Sequence, residues 1–209
     1  MKTASAKLAY LLITSPTPNV YMGGLMVTDD HGLPLEFRYT EPIQPTRIQQ
    51  VLYGQALAAY IKQDVILETL LKNVEARFKA LFVEDPHFLD YPAKGYTVFR
   101  ISGTKSPPIG DVGIRQTLNP QESLLQITPE GAPLRVSIGH GQAAGQNGGQ
   151  GGEPSEPIDS EKESKPDPFQ LLMEVGQTMD LTEPLKRIER ALEIICSEAG
   201  LTQTGNPAR

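Results

Sequence analysis

Residues 23–60, GGLMVTDDHGLPLEFRYTEPIQPTRIQQVLYGQALAAY, constrain the fold more than any other stretch. Val20 to Thr28 reads as a strand with Gly23-Gly24 in its middle, the mark of a bulge or of another backbone passing close. Asp29-Asp30-His31-Gly32 is a turn, because Asp caps its own backbone and Gly32 supplies a positive φ. Leu33 to Tyr39 then alternates, with Leu33, Leu35, Phe37 and Tyr39 on one side and Glu36 and Arg38 on the other. That is the pattern of a half-buried antiparallel strand. The prolines of Thr40 to Pro45 hold the connector extended. Thr46 is a good N-cap for a helix bearing Ile48, Val51, Leu52, Leu57, Tyr60 and Ile61.

The flanking sequence extends this unit. Leu8 to Thr14 is a near-continuous apolar run, too short to span a membrane, and reads as a buried strand rather than a signal peptide. Leu67, Leu70, Leu71, Val74, Phe78 and Leu81 follow at three- and four-residue spacing and predict one amphipathic helix closed by Pro86. Residues 96–102, 124–128 and 134–138 read as strands, the last two joined by Pro129-Glu130-Gly131. The expected fold is α+β: a mostly antiparallel sheet of five or six strands with two main helices, over residues 1–138. Residues 139–168 have almost no large apolar side chain and read as a flexible Gly/Pro/acidic linker. Residues 169–200 read as an amphipathic helical segment, with Leu185, Ile188, Leu192 and Ile195 at helical spacing, and 201–209 as a disordered tail.

Charge narrows the function classes. Residues 1–140 hold 13 Lys+Arg and 13 Asp+Glu, so the rest of the chain carries the whole net charge of −6. With no basic cluster along the sequence, nucleic acid is not indicated as a partner, and neither is an anionic membrane surface. The single cysteine, Cys196, lies in an apolar helical run, reads as a packing residue and suits a reducing, cytoplasmic compartment.

No zinc spacing, phosphate-binding loop or nucleophile elbow occurs, and no cofactor is expected. His31 and His87 lie among acids in turns, and His140 lies among linker glycines. Two constellations stand out. Arg38, Glu41, Thr46 and Arg47, with Gly23 and Gly24 nearby, place two arginines beside a helix start, a site that suits a carboxylate or phosphate. Asp29, Asp30, Glu36 and Glu41 are acids of one hairpin and its connector, the donor type for Mg²⁺ in a hydrolase or nuclease.

The run GGLMVTDDHGLPLEFRYTEPIQPTRIQQVLYG resembles a bacterial family signature: a Gly-Gly strand, a V-T-D-x-x-G-x-P-L-E-F-R hairpin and a P-T-R-x-Q-x-V-L-Y-G helix. The resemblance implies a bacterial protein and no particular activity, substrate or cofactor. From these features the expected role is a non-enzymatic binding or scaffold component of a multi-protein system, with the C-terminal helix docking on a protein partner. The alternatives are a metal-dependent hydrolase or nuclease using the hairpin acids, and an anion sensor at the Thr46 helix start.

Overall fold

A computed structural model describes residues 6–139 and 167–200 of the chain. Most of the expected linker, residues 140–166 with His140, and the tail 201–209 lie outside the described residues. The strands are β1 (Leu8–Thr14), β2 (Met22–Thr28), β3 (Pro34–Tyr39), β4 (Ala80–Val83), β5 (Thr97–Gly103), β6 (Arg115–Asn119), β7 (Glu122–Leu125) and β8 (Leu134–Ile138). They form one eight-stranded sheet in the order β3-β2-β1-β4-β5-β8-β7-β6. β1 pairs antiparallel with β2 but parallel with β4, and β4 pairs parallel with β5. β5, β8, β7 and β6 continue antiparallel.

This mixed sheet corrects the expected, mostly antiparallel five or six strands. Ala80–Val83 is the decisive difference. The helix ends at Asn73, Val74 turns extended at ψ 129, and the fully buried run ALFV becomes the strand beside β1. A four-residue apolar run buried on both faces suits the middle of a parallel pair. The helical spacing of Val74, Phe78 and Leu81 is coincidental. β6 was also unexpected, because RQTLN is a largely exposed edge strand with little apolar alternation.

Helices cover the sheet from both sides. On one face α1 (Arg47–Tyr53), a 3₁₀ turn, α2 (Leu57–Tyr60), a π-helical segment (Ile61–Leu67) and α3 (Glu68–Asn73) follow in succession. Thr46 starts α1 with a capping box: its hydroxyl accepts from Gln49 N, and Gln49 Oε1 accepts from Thr46 N. Gly54, at φ +53, ends it. Leu57, Ile61, Ile66, Leu67 and Leu70 pack there on Leu11, Leu25, Leu81 and Val98. On the other face α4 (Pro168–Gly176) and α5 (Glu183–Glu198) bring Phe169, Leu172, Ile188 and Leu192 onto Leu8, Tyr10, Phe82 and Phe99. A row of rings, Tyr10–Phe82 at 4.7 Å and Phe82–Phe99 at 5.7 Å, runs across the centre of that face.

The mid-strand glycines follow from this double cover. A Cβ on Gly23 would overlap Ile66 Cγ2 of the π-helical segment, and a Cβ on Gly24 would come within 2.9 Å of Ile188 Cγ2 of α5. β2 is squeezed between helices on its two faces, and the missing side chains let both approach. Thr40 locks the next turn, its hydroxyl accepting from Gly23 N at 3.0 Å and its own N–H donating to Gly23 O at 2.9 Å. Gly23 and Gly24 are therefore packing positions.

Candidate nucleic-acid interface

The four hairpin acids do not converge. Asp29 Oδ1 accepts from His31 N and Leu33 N, both at 2.9 Å, and closes the turn. His31 Nδ1 meets Asp30 Oδ1 at 2.9 Å. Asp29, Asp30 and His31 offer ligand atoms within 4.8 Å of one another, but those contacts already hold the turn. Glu36 points away to the other side of β3. Its carboxylate accepts from Arg38 Nε at 2.8 Å and from the backbone N–H groups of Glu75 and Ala76, tying β3 to the chain leaving α3. Desolvation opposes its ionisation, yet the hydrogen bonds from Arg38, Ala76 and Glu75 hold its carboxyl below the usual range. Glu41 lies on the connector, and among the described residues it joins no metal-sized group of acids. The residues present do not fit a metal centre built from this set.

The connector cluster divides in the same way. Arg38 and Glu41 line one cavity of about 420 Å³ with Thr40, Val65, Thr69 and Asn73. Arg38 pairs there with Glu36 and, at 3.3 Å, with Glu75. Thr46 is occupied as a cap, and Arg47 is exposed in the first turn of a seven-residue helix outside that cavity. The two arginines form no clamp.

A different edge gathers charge of both signs. β1, β4 and β5 run in one direction, so their carboxyl ends face one edge of the sheet, with β4 stopping at Val83 opposite Leu11 while β1 and β5 run on to Thr14 and Gly103. Open α/β sheets bind ligands at the carboxyl ends of such strands. Immediately beyond β4, Asp85 caps a 3₁₀ turn (Pro86–Phe88), its carboxylate accepting from His87 N at 3.1 Å. His87 Nδ1 meets Asp85 Oδ1 at 2.7 Å, and Lys62 Nζ from the π-helical segment meets Oδ2 at 2.9 Å. Partial burial disfavours the charged carboxylate, but the bonds from Lys62 and His87 hold its pKa down at about 2. Asp85 is therefore an anion at neutral pH, and the exposed His87 ring is fixed by it.

Next to this pair, a polar cavity of about 520 Å³ opens on β5 and β8, lined by Arg100, Ser102, Thr104, Lys105, Ser106 and Arg135. Strand alternation builds it. Ser102 pairs with Arg135 and Arg100 with Ser137, which sets both arginines on one face. Arg100 Nε donates to Glu84 O at 2.8 Å, tying the cavity to the Asp85 turn. The sequence carried a signal for this site. YTVFRIS and LRVSI each place a basic residue on the polar side of an alternating strand, but their pairing is needed to join them. His87 and Asp85 read as a plain surface loop.

No family model matches the chain, and no curated protein does. Solved structures do match. Endonuclease V from Streptomyces avermitilis superposes at TM-score 0.54 with 12% identity, covering 94% of this chain and 83% of that one. Endonuclease V from Ciona intestinalis, crystallised with a 24mer DNA containing inosine, gives TM-score 0.46 at 9% identity over 92% of this chain and 88% of that one. The catalytic domain of human endonuclease V gives 0.46 at 11% identity over 95% and 86%. At these identities the likeness is one of fold, carried by the Streptomyces structure.

Two expectations fall here. The non-enzymatic scaffold docking through its C-terminal helix is corrected, because the fold is similar to that of endonuclease V from Streptomyces avermitilis. In addition, α5 buries Ile188, Leu192 and Cys196 in the chain's own core. The reading that nucleic acid is not indicated, made from a neutral charge balance, is corrected as well, since the fold is similar to that of the Streptomyces endonuclease. A neutral sequence can still fold its cations into one pocket, as Arg100, Lys105 and Arg135 show. Among the described residues no helix is long and apolar enough to cross a membrane.

Proposed function

We propose that this chain is a nuclease: it binds nucleic acid at the carboxyl edge of its sheet and hydrolyses phosphodiester bonds there. The observation that carries the reading is the endonuclease V architecture spanning 94% of the chain. The Asp85–His87 pair sits at the edge where such sheets bind ligands. With Nδ1 donating to Asp85, the His87 ring presents Nε2 to solvent as a proton acceptor. In that role Nε2 takes a proton from water as the water oxygen bonds to phosphorus. The bond from phosphorus to the leaving oxygen breaks, and that oxygen recovers a proton from solvent. Asp85, ionised and held by Lys62, stabilises the imidazolium that forms. The lone buried cysteine fits a cytoplasmic location.

The test uses end-labelled single-stranded DNA, duplex DNA and RNA, incubated with the full chain with and without Mn²⁺ and resolved by length. Shortened strands with the wild type, and at least a hundredfold slower shortening with His87→Ala, are expected. Intact strands in every condition would overturn the nuclease reading, and cleavage unchanged in His87→Ala would remove the Asp85–His87 pair from it.

A further inference from the structure

The geometry points to the cavity of Arg100, Lys105 and Arg135 as a docking site for the phosphates of a nucleic-acid backbone, rather than for a free anion or a base edge. This assignment rests on the nucleic-acid reading above. Three observations on this chain carry it. First, the cavity gathers three cations from two paired strands and the loop after β5, with Glu122 the acid that answers Arg135, at 3.5 Å. Second, its remaining lining is hydroxyl and backbone: Ser102, Thr104, Ser106 and Gly103. Such groups bond phosphate oxygens without reading sequence, and the lining offers no aromatic ring on which a base could stack. Third, it is an open trough on a sheet face rather than an enclosed pocket. α1, α2, the π-helical segment and α3 pack over β2, β1 and β4 on that face, and among the described residues the apolar core beneath them takes in Val98 of β5 and none of the β5 residues after it. A polymer can run across it toward His87, to which Arg100 is joined through Glu84 O.

The cations also differ in how firmly they are placed. Arg100 is held at Nε by Glu84 O, so its guanidinium is presented in a fixed direction. Arg135 stands opposite Ser102 and is about half exposed. Among the described residues Lys105 Nζ has no acceptor. Arginine suits fixed, two-pronged phosphate contact, and lysine a mobile point charge.

The experiment measures fluorescence anisotropy of a labelled 20-nucleotide single strand against the full chain over a range of NaCl concentrations. The variants are Arg100→Ala/Lys105→Ala/Arg135→Ala and, to leave the Glu84 contact intact, Lys105→Ala/Arg135→Ala. A charge-matched control, Lys94→Ala/Lys186→Ala/Arg190→Ala, removes three exposed cations elsewhere. The triple variant is expected to bind at least tenfold more weakly at 50 mM NaCl. The slope of log affinity against log salt should fall by roughly 2, about 0.7 for each lost phosphate contact on a single strand. The double variant should show about two thirds of that change, and the control almost none. Equal losses in the control and the triple variant would overturn the assignment, as would unchanged slopes in both cavity variants. Complete displacement of the strand by millimolar inorganic phosphate at constant ionic strength would also overturn it, in favour of a free-anion site. A wild type that binds no strand at any salt would instead overturn the functional reading itself, so the two failures are distinguishable.

Discussion

The two ends of the sheet are built to different purposes. From β2 to β4 the strands are covered by helices on both faces. β1 reads LAYLLIT with hardly a polar atom, and β2 gives up two side chains so that helices can close on it. From the carboxyl half of β5 through β8, only the face under α4 is apolar, and the other presents Arg100, Ser102 and Arg135. The same sheet thus supplies a rigid block and a polar platform, and the Asp85 turn lies at the seam between them. A strand clamped on both faces has no room for a site, whereas one covered on a single face has a free surface already positioned by the clamped part.

The largest test of this contrast is Leu192→Ala. Leu192 is fully buried against the clamped half. Its truncation should cost about 2–5 kcal/mol by urea unfolding, and a cost below about 1 kcal/mol would mean that α5 is not sealing the sheet.

At the seam, Asp85→Asn should cost on the order of 2 kcal/mol at neutral pH, from a carboxyl held at about 2 against an ordinary 3.8. Because the folded-state pKa is depressed, the wild type holds this advantage in full above about pH 4. It loses the advantage as pH falls through about 2. Melts of the two proteins should therefore converge at low pH. A gap that persists at pH 2 would show that Asp85 acts through shape rather than charge.

On the platform, Arg135→Ala should change stability by less than about 0.5 kcal/mol, as a surface change does, while weakening strand binding. A large loss of stability there would break the contrast between block and platform.

Much of the clamped half is legible from local pattern. The hairpin of β2 and β3, the Thr46 cap and the Gly32 turn all rest on neighbours within a few residues. β4 was hidden because its apolar run extends the three- and four-residue spacing of the helix before it. The exposed Ile48, Val51 and Leu52 of α1, at 71%, 82% and 76%, show the converse: apolar spacing marks a helix without saying whether anything covers it. Leu35 was expected in the core, yet it is exposed, because β3 is the sheet edge and little beyond Phe37 is reached by α5. The platform was illegible for a different reason. Arg100 and Arg135 are 35 residues apart, and only the β5–β8 register brings them to one cavity. Asp85 and His87 gain their setting from Lys62, which reaches them from the preceding helical layer.

The place of α5 in the sequence has a consequence for how the chain is made. Cys196 meets Met22 across 174 residues of sequence. At ordinary synthesis rates of 5–20 residues per second, the apolar face of β1 and β2 therefore leaves the ribosome roughly 10–35 s before the helix that covers it. Through that interval Leu8, Tyr10 and Met22 are open to solvent and to other nascent chains. Of the described helices, α5 is translated last and ends this exposure, so a ribosome that stalls or terminates before residue 183 releases a sticky half-sandwich. Such truncated chains should be found in the insoluble fraction and bound to chaperones.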